Sequence, residues 1–337
     1  MPSGLGVLRE LGLEDKALQA GGQRLDGIRV GLAGGQSVEV AFPEHDGLRE
    51  GMGVRRIALD NLLLDAARRF AQVTFSAPVE VVAVVPGNPP RLLTKSDEFP
   101  ARFVAVADGL RSRMRHQLGW TLGPRPPHRY GVISHFHVRE PQPARIDIRI
   151  HPGFESYEAP VGGNERLVAF LLDKPQMDGF AGSLERGYEK LAGGLNNELT
   201  TSERTASVHA IGPFRFSAST VARDGVFLVG DAAGFVDPIS AEGLAAALLQ
   251  AKALVASLQT GSPEAVYRRA HLGLTRDPRR ISRLFVRLAA SPARAARGLR
   301  GVGRAPQLMP KLLGINFGYW GFERISPREW LALLTGR

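Results

Sequence analysis

Hydrophobic positions recur at helical spacing from the start of the chain: Leu5, Leu8, Leu11 and Leu18 predict a short helix over residues 4–18. Residues 28–30 and 37–42 alternate apolar and polar on either side of Gly34-Gly35, which predicts a hairpin. A second helix is expected over 59–70. Apolar runs at 79–85 and 103–107 read as strands, the latter running into Asp108-Gly109. Residues 124–172 are predicted to be mostly β, with strands at 130–138 and 145–150 and a hairpin of 157–160 and 167–172 turning at Gly162-Gly163-Asn164. A helix over 183–195 follows, then a buried strand at 226–229 and a long Ala/Leu helix opening at Glu242-Gly243. The remainder predicts basic helices separated by Pro278, Pro292, Pro306 and Pro310. A block of antiparallel strands inside an α/β chain implies an inserted sheet on the substrate side. The expected division is therefore residues 1–123 with 212–260 as one α/β domain, 124–211 as the sheet, and 261–337 as a basic helical region.

Composition narrows the classes. Apolar content of 44% with 23% charge is that of an ordinary globular chain able to bury a core. The absence of cysteine excludes disulfides, thiolate catalysis and Cys-ligated metal. Residues 243–257 form the longest apolar stretch; Gln250 and Lys252 interrupt it, and it is too short to span a bilayer. No basic start or apolar run follows Met1, so no secretory signal is expected and the cytoplasm is the default compartment.

Charge is unevenly placed. Residues 261–337 carry 15 Lys+Arg against 4 Asp+Glu, whereas the other 260 residues hold 28 and 29. There Arg283, Arg287, Arg294, Arg297 and Arg300 interleave with Leu284, Phe285, Leu288 and Leu299. This reads as a solvated face capping the substrate sheet, as an amphipathic surface making peripheral contact with anionic membrane, or as a surface for an anionic substrate. Nucleic acid is not an expected partner.

The chemistry concentrates in GVFLVGDAAGFVDPISAEGLAAALLQA, residues 225–251. Gly230 allows a sharp exit from a buried strand, which leaves Asp231 at the strand's carboxyl end, where open α/β sheets bind ligands. Ala232, Ala233 and Gly234 let a bulky ligand approach the backbone, and Pro238 stiffens the loop. Glu242-Gly243 opens a helix whose first amides carry roughly half a positive charge. An acceptor for sugar hydroxyls beside a helix N-terminus for an anionic ring is what a flavin needs.

The stretch resembles the second flavin-binding signature of the p-hydroxybenzoate hydroxylase and geranylgeranyl reductase-like flavoproteins. The resemblance implies that Asp231 binds the ribityl chain of FAD and that Pro238–Gly243 covers the isoalloxazine. Ala241-Glu242-Gly243 stands where the family often has Gly-Glu-Gly. Two further strings are similar to the same family. FVAVADGLRSRMRHQLG carries Asp108, Gly109, Ser112 and Arg115 in a motif that lies near the FAD pyrophosphate and is implicated in nicotinamide-cofactor binding. RRIALDNLLLDAA implies an FAD contact for Arg56. The family's Gly-x-Gly-x-x-Gly fingerprint is not in the chain, and about 40–50 residues carrying it are expected upstream of Met1 in relatives.

The resemblance thus implies an N-terminally incomplete FAD-binding, Rossmann-like α/β fold with an antiparallel substrate-side sheet and a helical C-terminal region. It implies an FAD-dependent oxidoreductase, reductase or monooxygenase, acting on an organic, lipid-like or polyketide substrate, with NAD(P)H reducing the flavin. The alternative is a truncated, non-catalytic binding or membrane-surface protein of flavoprotein ancestry. No protein acid or base is assigned. His135 and His137 share one strand face at metal-compatible spacing, but no third ligand accompanies them and no metal is expected. Tyr157 and Arg149 fall in the substrate sheet, and Arg215 in a connecting segment. There is no nucleophile motif, P-loop or Trp-x-Trp-x-Ile-Pro string.

Overall fold

In the computed structural model the structure describes residues 1–180, 182–195, 199 and 202–336. Helices α1 (Pro2–Glu10) and α2 (Glu14–Gln19) replace the single helix expected over 4–18. Gly12 adopts φ +66° between them, a conformation that ends the first helix. α1 packs on α6 (Gly243–Leu258), so closely that a Cβ at Gly4 would meet the Ala245 backbone at 3.1 Å. Helix α3 (Arg56–Arg68) closes the same layer, with Leu5, Leu8, Ala17 and Leu59 buried together.

Seven strands form the largest sheet: β1 (Gly27–Leu32), β2 (Ser37–Ala41), β4 (Arg129–His137), β5 (Arg145–His151), β6 (Phe154–Pro160), β7 (Glu165–Asp173) and β8 (His209–Ile211). Their order is β8-β4-β7-β6-β5-β1-β2, antiparallel throughout except where β5 runs parallel to β1, Ile148 opposite Val30. The N-terminal hairpin β1–β2 thus extends the sheet of residues 124–211 instead of staying with the segment 1–123. Its apolar alternation was legible; its partner strand, over a hundred residues away, was not. The β6–β7 turn falls at Gly162, Gly163 and Asn164, all at positive φ, as the sequence predicts.

Alternation sends the two faces of this sheet to different cores. Phe170 and Leu172 pack beneath helix α5 (Leu184–Leu195). Ile148, Ile150, Tyr157 and Leu171 face the opposite side, toward the C-terminal helices. There α7 (Pro263–Ala289), α8 (Pro292–Arg304), α9 (Leu308–Asn316) and α10 (Pro327–Thr335) stack over the sheet.

Pro278 does not separate helices; it lies inside continuous α7. Pro310 sits in the first turn of α9, where its missing N–H has no intrahelical partner to lose. Leu284, Phe285 and Leu288 pack into the core and Leu299 is buried, so the apolar residues an interfacial helix would present to lipid face the sheet. Among the described residues no helix is long and apolar enough to cross a membrane.

A small second sheet carries the site. β3 (Val104–Val106) runs parallel to β10 (Val226–Leu228), with β9 (Ala222–Arg223) on the other side of β10. Val226, Phe227 and Leu228 are fully buried, as their apolar run requires. Residues 79–82, expected to be strand, are irregular, and only Ala83–Val85 pairs, in a separate three-stranded sheet.

Candidate functional site

β10 ends in a 3-10 turn, Gly230–Ala233, that brings Asp231 to the rim of a cavity of about 760 Å³. Gly230 turns there at φ +63°, and its amide donates to Gln250 Oε1 of α6 at 2.8 Å. Gly234 lies at φ +122°, which L side chains rarely adopt, and a Cβ there would sit 3.0 Å from the Arg279 guanidinium and 3.2 Å from the Phe216 carbonyl oxygen. Asp231 Oδ1 faces the start of α6, 3.8 Å from a Cβ built on Gly243. Among the described residues its carboxylate accepts no hydrogen bond. Burial raises its pKa, opposed by the charges of Arg56 and Arg115.

Gly230, Asp231, Gly234, Glu242 and Gly243 line this one cavity. Ala232 instead points into the core beneath, and Pro238 opens a second 3-10 turn, Pro238–Ser240, capped by Asp237 through the Ile239 amide at 3.0 Å. Asp108 and Gly109 lie outside the cavity. Asp108 accepts the Met114 amide at 3.1 Å and Gly109 turns at φ +80°, so both shape the start of helix α4 (Arg113–Gln117), which Ser112 caps. Arg56 pairs with Asp60 at 3.1 Å on the exposed first turn of α3, and reaches Asp231 only through its field.

Arg115 joins these parts. It is almost fully buried and donates to the carbonyls of Leu110 at 2.8 Å, Ala232 at 2.9 Å and Asp231 at 3.2 Å, with its guanidinium over the Phe216 ring. The Asp-Gly-x-x-Ser-x-x-Arg string is therefore a brace for the Asp231 turn.

Glu242 precedes α6 and is buried, with Ser3 Oγ donating to Oε2 at 3.2 Å while Oε1 has no partner. Burial lifts its pKa to about 8, with the nearby amino terminus and Ser3 opposing. Ala241 adopts φ +53° in the left-handed region.

A second, largely apolar cavity of about 900 Å³ lies beyond the 238–243 loop, between the sheet and the C-terminal helices. Ser240 and Asn316 line both cavities, so the two meet at these residues. Asn316 Nδ2 donates to the Ser240 carbonyl at 3.0 Å, leaving its Oδ1 buried and unpartnered. Glu155 and Tyr157, two apart on β6, are the polar side chains that the sheet turns into the apolar cavity. Tyr157 Oη is buried without a partner. Arg129 donates to Glu155 and, at 3.1 Å, to Asp237, linking the sheet to the loop. Burial raises the Glu155 pKa to about 7, against the pull of Arg129.

His135 and His137 gain no third ligand: among the described residues no group of three metal-ligating side chains exists. Burial, reinforced by Arg55, lowers the His135 pKa to about 4.

Gln250, Arg279 and Asn316 line the Asp231 cavity without having been singled out from sequence. Only Gln250 left a signal, as a polar residue interrupting an apolar helix. Arg279 donates to the Ala233 and Gly234 carbonyls at 3.3 Å each.

These residues fit the ribityl and ring end of a flavin. An unsatisfied carboxylate lies beside the N-terminus of a 16-residue helix at the cavity wall, next to a buried carboxyl oxygen without a partner. Among the described residues no Gly-x-Gly-x-x-Gly turn joins a strand to a helix.

Comparison with known proteins bears on the family and the fold. No curated protein sequence matches the chain. Among solved structures the chain is similar to the flavin-dependent brominase Bmp2 (TM-score 0.79, 16% identity, 94% of this chain and 82% of that one). It is also similar to a flavoprotein/dehydrogenase from Cytophaga hutchinsonii (0.76, 19%, 95% and 82%). A third is pqsL, a probable FAD-dependent monooxygenase from Pseudomonas aeruginosa (0.75, 18%, 88% and 86%). The sequence profile of the family described as "FAD binding domain" matches residues 2–264. The chain therefore belongs to the FAD binding domain family, with the FAD-binding α/β fold of flavin monooxygenases and halogenases.

Proposed function

We propose that this protein is an FAD-dependent monooxygenase of an apolar organic molecule, lipid-like or polyketide, with NAD(P)H as reductant. The observation that carries the reading is the meeting of the Asp231 cavity and the apolar cavity at Ser240 and Asn316. Bound FAD supplies the redox chemistry, accepting hydride and reducing oxygen.

The chain's own groups bind, orient and exclude water. Asp231 would accept hydrogen bonds from ribityl hydroxyls, and the first amides of α6 would set positive potential beside the ring. The 238–243 loop, held by Asp237 and by Asn316, separates the two cavities. Isoleucines 28, 146, 148 and 150 keep the substrate side dry, which strengthens every polar contact inside it. Tyr157 Oη and Asn316 Oδ1 are free to hold a substrate's polar head, and Glu155 can exchange a proton near neutral pH.

The test is to supply the purified protein with FAD, confirm binding by quenching of flavin fluorescence, and follow oxygen and NAD(P)H together in the presence of apolar phenols or polyketides. Equal consumption of both, stimulated by such compounds, is expected. NAD(P)H oxidation without oxygen uptake would assign a reductase instead. Failure to bind FAD would sink the reading.

A further inference from the structure

A cleft of about 730 Å³ opens on the other side of α7 from the apolar cavity, lined by Arg215, Arg283, Arg287 and Arg294 together with Val236 and Asp237. The four arginines come from three segments: the loop before Phe216–Ala218, α7 and the first turn of α8. Among the described residues none of the four forms an ion pair with a carboxylate. Neighbouring arginines do: Arg276 and Arg280, on the same helix, both pair with Asp277 at 3.1 Å. The one acid in the cleft, Asp237, is committed to Arg129 and to the Ile239 amide.

This clustering is unfavourable in the empty protein. Arg283 and Arg287 are like charges one helical turn apart, a destabilising arrangement. Arg294 places a cation near the positive end of α8. Arg215 is held at φ +72°, which disfavours any side chain. Burial and repulsion from Arg215, Arg287, Arg125 and Arg280 all lower the Arg283 pKa. An anion of more than one charge offsets the charge repulsions together, though not the backbone conformation of Arg215, and guanidinium pairs match phosphate oxygens bidentately.

We propose that this cleft is a binding site for a phosphate-bearing small molecule, whose phosphates contact Arg283 and Arg287 and whose remainder extends toward Val236 and Asp237. Those two residues also line the Asp231 cavity, so the ligand would reach the edge of the flavin site. The phosphates could belong to the reducing dinucleotide or to a phosphorylated substrate. The site stands independently of the reaction proposed above.

The experiment is calorimetric titration of the whole protein, without flavin, with sodium pyrophosphate at low ionic strength, where charge pairing is least screened. One saturable site is expected. Arg283→Gln/Arg287→Gln should weaken binding at least about tenfold. Arg297→Gln/Arg300→Gln removes the same charge from positions that are exposed like Arg283 and Arg287 but lie outside the cleft, and should change it by less than about twofold. Arg283→Lys/Arg287→Lys should fall between, because charge is kept and the planar fork is lost. Thermal unfolding would confirm that each variant folds. Competition of pyrophosphate with NADH and NADPH alike would identify the dinucleotide diphosphate, competition with NADPH alone its 2′-phosphate, and competition with neither a phosphorylated substrate. No pyrophosphate binding, or equal weakening in both glutamine pairs, would overturn the assignment.

Discussion

The Arg115 guanidinium donates to the backbone carbonyl of Asp231 at 3.2 Å, so the carboxylate at the rim of the second-sheet cavity is positioned by a side chain more than a hundred residues earlier. The same group holds Ala232 and Leu110. Arg115→Ala would leave the Leu110 and Ala232 carbonyls without this donor in a buried setting, while the Asp231 carbonyl keeps the Gly234 amide. A loss of about 3–5 kcal/mol is expected. Denaturant unfolding measures it, and Arg115→Lys should recover only part.

Asp231→Ala should weaken flavin retention roughly 5- to 150-fold, the equivalent of about 1–3 kcal/mol for ribityl hydroxyls left unpaired. Fluorescence titration with FAD reads the change. Equal affinity in wild type and variant would remove Asp231 from the site.

Ala241 sits at φ +53°, in the left-handed region. The left-handed conformation costs a non-glycine residue about 1–2 kcal/mol, and glycine's greater freedom in the unfolded chain returns about 0.5–1 kcal/mol of that. Ala241→Gly should therefore stabilise the protein by about 0.5–1 kcal/mol, seen as a higher urea midpoint at unchanged slope.

His271 is buried, its Nε2 without a partner, and burial with the charge of Arg279 holds its pKa at about 3 against 6.5 in the unfolded chain. A depressed histidine contributes stability that is complete above pH 6.5 and is lost as pH falls toward 3. Between pH 6.5 and about 4.5 the loss should be about 2–3 kcal/mol. His271→Leu should flatten that part of the pH profile of unfolding. An unchanged profile would show that other groups carry the acid sensitivity.

Tyr157→Phe removes a buried hydroxyl that has no partner in the protein. Stability of the unliganded protein should rise by about 1 kcal/mol. If the hydroxyl holds the substrate's head group, KM for the substrate should rise at the same time. A stabilised variant with unchanged KM would place the substrate elsewhere in the cavity.

Local pattern was enough to read the elements that build the Asp231 cavity. The apolar run at 226–229, the glycine after it and the Ala/Leu helix beyond each have short-range physical causes, and the strand, turn and helix stand where those causes put them. The Asp-Gly-x-x-Ser string was equally visible as a motif. Its work as a cap and brace depended on Arg115 crossing to a strand end that sequence distance hides.

What the sequence by itself determined, then, was the strand-to-helix turn that carries Asp231, the antiparallel block and the basic C-terminal quarter, because periodicity, turn residues and charge are local quantities. Only the tertiary structure decided that the N-terminal hairpin joins the antiparallel sheet, that Pro278 stays within one helix, and that the apolar face of the arginine-rich helices turns inward. It alone brought Asn316 and Ser240 between two cavities and gathered four arginines from three segments into one cleft. Those relationships arise from long-range packing, which many residues share and no short stretch encodes.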